Sequence, residues 1–113
     1  MEFTFVYSSG FVREWNRQRL TDMDLVALEQ LIAKAPQSAP IIRGTGGLRK
    51  IRFAPPSRHQ GKSGAMRVGF TVFPAKAAII VVAMFAKNDA ANFTPAQCSE
   101  IEKWLKQIER SFR

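Results

Sequence analysis

Along the first residues Phe3, Phe5 and Tyr7 alternate with Glu2, Thr4 and Val6, the period-two pattern of a half-buried strand. Ser8, Ser9 and Gly10 then offer caps for a short helix from about Phe11 to Arg19, in which Phe11 and Trp15, four apart, share one face. Leu20-Thr21 restarts the chain. Thr21 is a good N-cap, Asp22 and Asp24 favour the positive end of a helix, and Leu20 is placed to meet Leu25 as a hydrophobic staple. Leu25, Leu28, Leu31 and Ile32 form the apolar stripe of this second helix, which Pro36 stops.

Pro36 to Gly47 reads as a loop, with a short extended piece at Ile41-Ile42. Leu48 to Phe53 reads as a strand with Ile51 and Phe53 on its core face and Lys50 and Arg52 on the other. After a connection from Ala54 to Gly64, Ala65 to Phe73 is a third strand, placing Met66, Val68, Phe70 and Val72 inward and Arg67, Gly69 and Thr71 opposite. Phe73-Pro74-Ala75-Lys76 supplies a turn into a fourth strand, Ala77 to Phe85, apolar on both faces as a central strand requires. The last segment is a helix: Thr94, Pro95 and Gln97 make a capping box, and Cys98, Ile101, Leu105, Ile108 and Phe112 recur at helical spacing, with Trp104 widening the stripe. The expected architecture is one α+β domain over residues 1–113, β-α-α-β-β-β-α. Its antiparallel sheet carries its helices on one face and shows Lys50, Arg52 and Arg67 on the other.

Composition adds the partner. A chain of 113 residues with 46% hydrophobic and 23% charged residues is sized and balanced for a single core. Its one cysteine, Cys98, excludes an internal disulfide framework and fits a reducing compartment, where it serves as a small core residue. The opening residues lack the basic stretch and long apolar run of a secretion signal. The longest apolar run, Ala77–Ala86, is strand length, so a cytoplasmic location with no membrane partner is expected. The net charge is +8, and its distribution is uneven. All nine acids lie in residues 2–29 or 89–109, whereas the 59 residues between hold ten bases: Lys34, Arg43, Arg49, Lys50, Arg52, Arg58, Lys62, Arg67, Lys76 and Lys87. An unscreened positive field of that kind suits a polyanion, and nucleic acid is the expected partner class. No metal or cofactor is expected, because there is no second histidine, no cysteine partner and no acidic cluster. Gly61-Lys-Ser63 has the ending of a phosphate-binding P-loop, but the glycine required five places earlier is Pro56. His59, beside Arg58 in the connection, is a candidate for phosphate contact or proton shuttling.

One ordered set of segments is more specific. Gly44-Thr-Gly-Gly-Leu-Arg-Lys-Ile-Arg-Phe53, then Gly61-Lys-Ser-Gly-Ala-Met-Arg-Val68, then Phe85-Ala-Lys-Asn-Asp89 and Phe93-Thr-Pro resembles the RelE/HigB family of bacterial type II toxins. That branch carries a GTGGLRK-I-R segment, a GKSGG-x-R hairpin and a Y-x-K-N-E strand ending. The resemblance covers about residues 41–112 and implies a RelE-like fold. It also implies a ribosome-dependent endonuclease that cuts messenger RNA and is silenced by a cognate antitoxin. Such an antitoxin is expected to be a helix-turn-helix protein encoded next to it, and operator DNA to be contacted only through the antitoxin.

Metal-independent RNA cleavage uses the 2′-hydroxyl as nucleophile and needs a proton acceptor, a proton donor and positive charge on the phosphorane oxygens. Matching by position, Arg67 is the strand arginine of the active site, with Lys50, Arg52 and Lys87 as its catalytic companions. Lysine in a like-charge cluster can exchange a proton, whereas arginine stabilises charge. Arg43, Arg49, Arg58, His59 and Lys62 are the expected contacts to RNA and the ribosome, Arg49 on the face away from Lys50 and Arg52. Phe70 and Phe85 stand where the family pattern has tyrosines, and Ala65 where it has a glycine. Phenylalanine stacks on a base but moves no proton. Tyr7, on the first strand, is a core residue in this reading. Two other functions share the fold: a ParE-like inhibitor of DNA gyrase, disfavoured by the GTGGLRK and GKSG segments, and a catalytically silent module that only binds its antitoxin.

Overall fold

The computed structural model describes residues 2–58, 65–85 and 93–111. Local signals start each helix. Ser8 caps α1 (Ser9–Arg17) by accepting from the Phe11 N–H at 3.0 Å. Thr21 caps α2 (Asp22–Lys34), in a reciprocal box with Asp24: the Asp24 N–H donates to Thr21 Oγ1 at 3.1 Å, and the Thr21 N–H to Asp24 Oδ2 at 2.9 Å. Thr94 and Gln97 do the same for α3 (Pro95–Ser111), at 2.9 and 3.1 Å. Each box satisfies N–H groups that the first helical turn leaves without partners.

Four strands, β1 (Thr4–Tyr7), β2 (Arg49–Phe53), β3 (Met66–Phe73) and β4 (Ala78–Phe85), form one sheet in the order β1-β4-β3-β2. The meander β2–β3–β4 is antiparallel, but β1 runs parallel to β4, so the sheet is mixed where an antiparallel one was expected. The cause is the α1–α2 crossover, which delivers the chain to the far edge running in its original sense. Ile41 bridges to Arg49, and the Lys50 N–H donates to the Pro40 carbonyl at 3.0 Å, so the short extended piece at 41–42 covers part of the β2 edge.

Helices lie on both faces. Phe11, Trp15, Leu28 and Ile32 of α1 and α2 pack with Phe53, Val68, Phe70, Ile79 and Val81 in the main core, joined by Ile51, Met66 and Val72. On the opposite face, Leu105, Ile101 and Trp104 of α3 pack with Ile42, Leu48, Val82, Phe85 and Phe93. The expectation of helices on one face therefore holds for α1 and α2 and fails for α3. Gly69 and Thr71, expected on an open face, are buried because α3 and the loop before β2 cover them. In α2 the expected Leu31 is instead largely exposed, and the inward position is taken by Asp24, which is 0% exposed.

Asp24 is a clasp between distant segments. Its Oδ1 accepts from the Ser57 N–H at 3.0 Å and its Oδ2 from the Ser57 hydroxyl at 2.6 Å, tying the start of the β2–β3 connection to α2. Burial works against its charge, but the hydrogen bonds from Ser57 and Thr21 outweigh it and hold the carboxyl below its ordinary value. Tyr7 packs against the main core, as expected, and its hydroxyl donates to the Glu29 carboxylate, which burial pushes up. No helix among the described residues is long and apolar enough to cross a membrane.

Candidate functional site

Strand register decides which cations meet. Lys50 is opposite Gly69 and Arg52 is opposite Arg67, so all three side chains leave one face of the sheet. Facing residues of an antiparallel pair have Cα atoms about 4.5–5.5 Å apart, close enough for two like charges to be destabilising. Arg52 is exposed and Arg67 half-buried, and neither guanidinium has a hydrogen bond or ion pair among the described residues. Two arginines held face to face without a carboxylate form a ready site for a doubly coordinated oxyanion such as a phosphodiester.

A β-bulge completes this row. Gly69 pairs with Ala83 and Phe70 with Val81, leaving Val82 as an extra residue in β4. Its carbonyl is taken by the Ser8 hydroxyl at 2.6 Å. One inserted residue reverses which side chains face which way. Ile79 and Val81 point into the main core, but beyond the bulge the odd-numbered Phe85 lies on the cationic face, opposite Arg67. The row is thus Arg52, Arg67, Phe85, and Phe93 meets Phe85 edge-on with ring centroids 5.8 Å apart. Gly69 leaves room beside it, since a Cβ there would come within 3.3 Å of Leu48 and of Phe85.

The two phenylalanines standing for tyrosines are therefore not equivalent. Phe70 is fully buried in the main core on the other face, away from Lys50, Arg52 and Arg67, whereas Phe85 borders the cationic row. The placement of Phe85 beside this row, against Phe93, was not visible from alternation, because the bulge interrupts it.

The remaining expected contacts are dispersed. Arg43 is exposed in the loop before β2. Arg49 faces the α1–α2 side, where its Nη1 donates to the carbonyls of Gln37 and Ala39 at 2.9 and 2.7 Å, fastening the segment after α2. Arg58 ends a 3-10 turn and its Nη2 donates to the backbone and side-chain carbonyls of Gln18 at 2.8 and 2.7 Å. His59, Lys62 and Lys87 lie outside the described residues. The loop that precedes β2 takes its shape from local features: Gly44, Gly46 and Gly47 have positive φ, and the buried Thr45 hydroxyl donates to the Ile42 carbonyl at 2.6 Å while accepting from the Leu48 N–H at 3.0 Å. Against this loop lie Cys98, half-buried, and Glu102 of α3. No three His, Cys, Asp or Glu side chains gather among the described residues.

No family model matches the chain. Among solved structures it is similar to the Escherichia coli toxin RelE, in an arginine-to-alanine double mutant in the free state. The TM-score is 0.55 and the identity 18%, over 81% of this chain and 90% of that one. The fold is RelE-like.

Proposed function

We propose that this RelE-like chain is the toxin of a bacterial type II toxin–antitoxin pair, an endoribonuclease that cuts messenger RNA on the translating ribosome and so inhibits translation. The observation that carries the reading is the Arg52–Arg67 couple, without a partner among the described residues, beside Phe85 on one face of the sheet. Those two guanidiniums grip the scissile phosphodiester and neutralise the charge that grows on it as the neighbouring 2′-hydroxyl attacks. Phe85, braced by Phe93, stacks on an adjoining base and holds it in line. Lys50, next along the same face, and Lys87 are the groups assigned to proton exchange. No metal takes part. Because Phe85 has no hydroxyl to give or take a proton, turnover is slow relative to a site with a phenol there.

Arg43, with His59 and Lys62, contacts ribosomal RNA. Arg49 and Arg58, whose bonds to protein run through one amino nitrogen each, have further N–H donors for phosphate. The cognate antitoxin, a helix-turn-helix protein encoded alongside, brings acidic residues to the cationic face or an apolar helix to the toxin surface, and it carries the operator contact for the pair. The test is a defined mRNA in a reconstituted translation reaction, with ribosomes present or omitted. Cuts that require ribosomes and vanish with Arg67→Ala support the reading. Intact mRNA under all conditions, from folded protein, defeats it.

A further inference from the structure

Two further arginines, Arg19 and Arg58, converge on Gln18 at the end of α1, and Arg19 occupies a backbone position that favours a different residue. Helix α1 closes with the two hydrogen bonds of a Schellman motif, Leu20 N–H to the Trp15 carbonyl at 3.4 Å and Arg19 N–H to the Asn16 carbonyl at 3.0 Å. The residue between them must be left-handed, and such sites are ordinarily glycine or asparagine because a Cβ is disfavoured there. Here it is Arg19, with φ 57°. Its exposed side chain has no hydrogen bond or ion pair among the described residues. Backbone outliers cluster at binding and catalytic sites, and this one places an exposed cation there.

Arg58 lies alongside. Its Nη2 is fixed on both carbonyls of Gln18, the residue immediately before Arg19, and its Nε and Nη1 make no bond among the described residues. Gln18 is itself oriented, since its amide donates to Glu14 Oε2 at 2.8 Å. The Glu14 carboxylate in turn accepts from Arg17, through Nε at 3.0 Å and Nη2 at 2.6 Å, so its charge is shared with a third arginine. The result is a Glu14–Gln18–Arg58 relay that holds one guanidinium on Gln18, the residue whose chain neighbour is the exposed Arg19. The placement is also significant. Trp15 of α1 stacks on Phe53, the last residue of β2, at 6.1 Å, so the end of α1 reaches the same end of the sheet from which Arg52 and Arg67 project on the opposite face.

We propose that Arg19 and Arg58 form a second phosphate-binding site, which grips the sugar–phosphate backbone of the RNA away from the reacting bond as the strand passes around the end of the sheet. The proposal rests on the reading of the protein as an RNA-cleaving enzyme and adds an affinity-setting site to it. Its decisive variant is Arg19→Gly, which removes the charge while giving the left-handed position its preferred residue, so lost binding cannot be attributed to a damaged fold.

The probe is a labelled single-stranded RNA oligonucleotide titrated against the full chain at several salt concentrations, alongside thermal unfolding and cleavage kinetics on mRNA in a reconstituted translation reaction. Arg19→Gly is expected to melt at or above the wild-type temperature and to bind about fivefold more weakly, the upper end for an exposed ion pair. It should also lower the slope of log affinity against log salt by about 0.7, one phosphate's worth for a single strand. Cleavage at saturating RNA should be unchanged. Arg58→Gln should repeat the loss of affinity, and the double variant should exceed either. Wild-type affinity and salt slope in Arg19→Gly overturn the proposal. RNA bound by the free protein while mRNA on translating ribosomes is never cut, with the Arg19 effect intact, retains this site and removes the enzymatic reading. No RNA bound by any form removes both.

Discussion

Replacing Arg67 by glutamine should make the protein more stable and less active at once. The perturbation is small in volume, since glutamine keeps part of the aliphatic stem that half-buries Arg67. It deletes one of two positive charges set directly opposite each other across β2 and β3. A like-charge cross-strand pair costs about 0.2–1 kcal/mol. Recovering that much should raise the melting temperature of a domain this size by about 1–5 °C. The gain is electrostatic, so it should be largest at low salt and vanish near 1 M, where the screening length falls to about 3 Å. Over the same substitution, cleavage should fall about 10²–10³-fold, the usual cost of removing one preorganised donor from a charge-developing transition state. Calorimetry of both proteins at low and high salt, with cleavage measured on the same preparations, reads all three quantities. A melting temperature that drops by several degrees in Arg67→Gln, or a gain that persists at 1 M salt, would show that the couple is not strained by charge and would refute the argument.

Other substitutions test other joints of the structure. Asp24→Asn should cost about 1.5–3 kcal/mol at pH 7, since the hydrogen bonds it loses are to a charged group. Because the Asp24 carboxyl is held below its unfolded value of about 3.9, its stabilisation is present at neutral pH and is lost as pH falls through the lowered native value. Denaturant curves from pH 7 to 3 should therefore converge for wild type and variant, and a constant gap would argue against an ionised Asp24. Gly46→Ala places a Cβ 2.8 Å from Glu102 Cγ at a φ of +75°, and should destabilise by about 1–2 kcal/mol, part of it restored by Glu102→Ala. A strictly additive double variant would deny that contact. Phe85→Tyr supplies a phenol beside Arg67 and should quicken cleavage, whereas Phe85→Leu should weaken RNA binding; single-turnover rates with equal, unimproved values for the tyrosine variant would show that no proton moves at this position.

Much of the fold is legible in the residue pattern because its signals are local. Phe11 and Trp15, the Thr94–Gln97 box and the inward set Met66, Val68, Phe70 and Val72 all behave as spacing dictates. Asp24 is buried because its partner lies on a distant connection, Ser57, which no helical period announces. The parallel pairing of β1 with β4 and the seat of α3 on the far face are likewise long-range outcomes. At the candidate site, alternation alone brings Lys50, Arg52 and Arg67 to one face and sends Arg49 to the other. It fails at Phe85, since a bulge at Val82 is invisible in an all-apolar strand and reverses every side chain after it. Arg19 is missed for a similar reason: a helix ending on arginine reads as an ordinary charge until its φ is known.

The chemistry assigned to the cationic row leaves a signature on its product. Attack by the 2′-hydroxyl, with no metal-bound water, must yield a 2′,3′-cyclic phosphate on one fragment and a 5′-hydroxyl on the other. Mass spectrometry of the fragments from an mRNA cut in a translation reaction, compared between wild type and Arg67→Gln, reads those ends directly. Cyclic phosphate and 5′-hydroxyl termini that disappear with Arg67 are the expected outcome. A 3′-hydroxyl with a 5′-phosphate, or fragments that persist undiminished in Arg67→Gln, would mean that the RNA is not cut by the Arg52–Arg67 face.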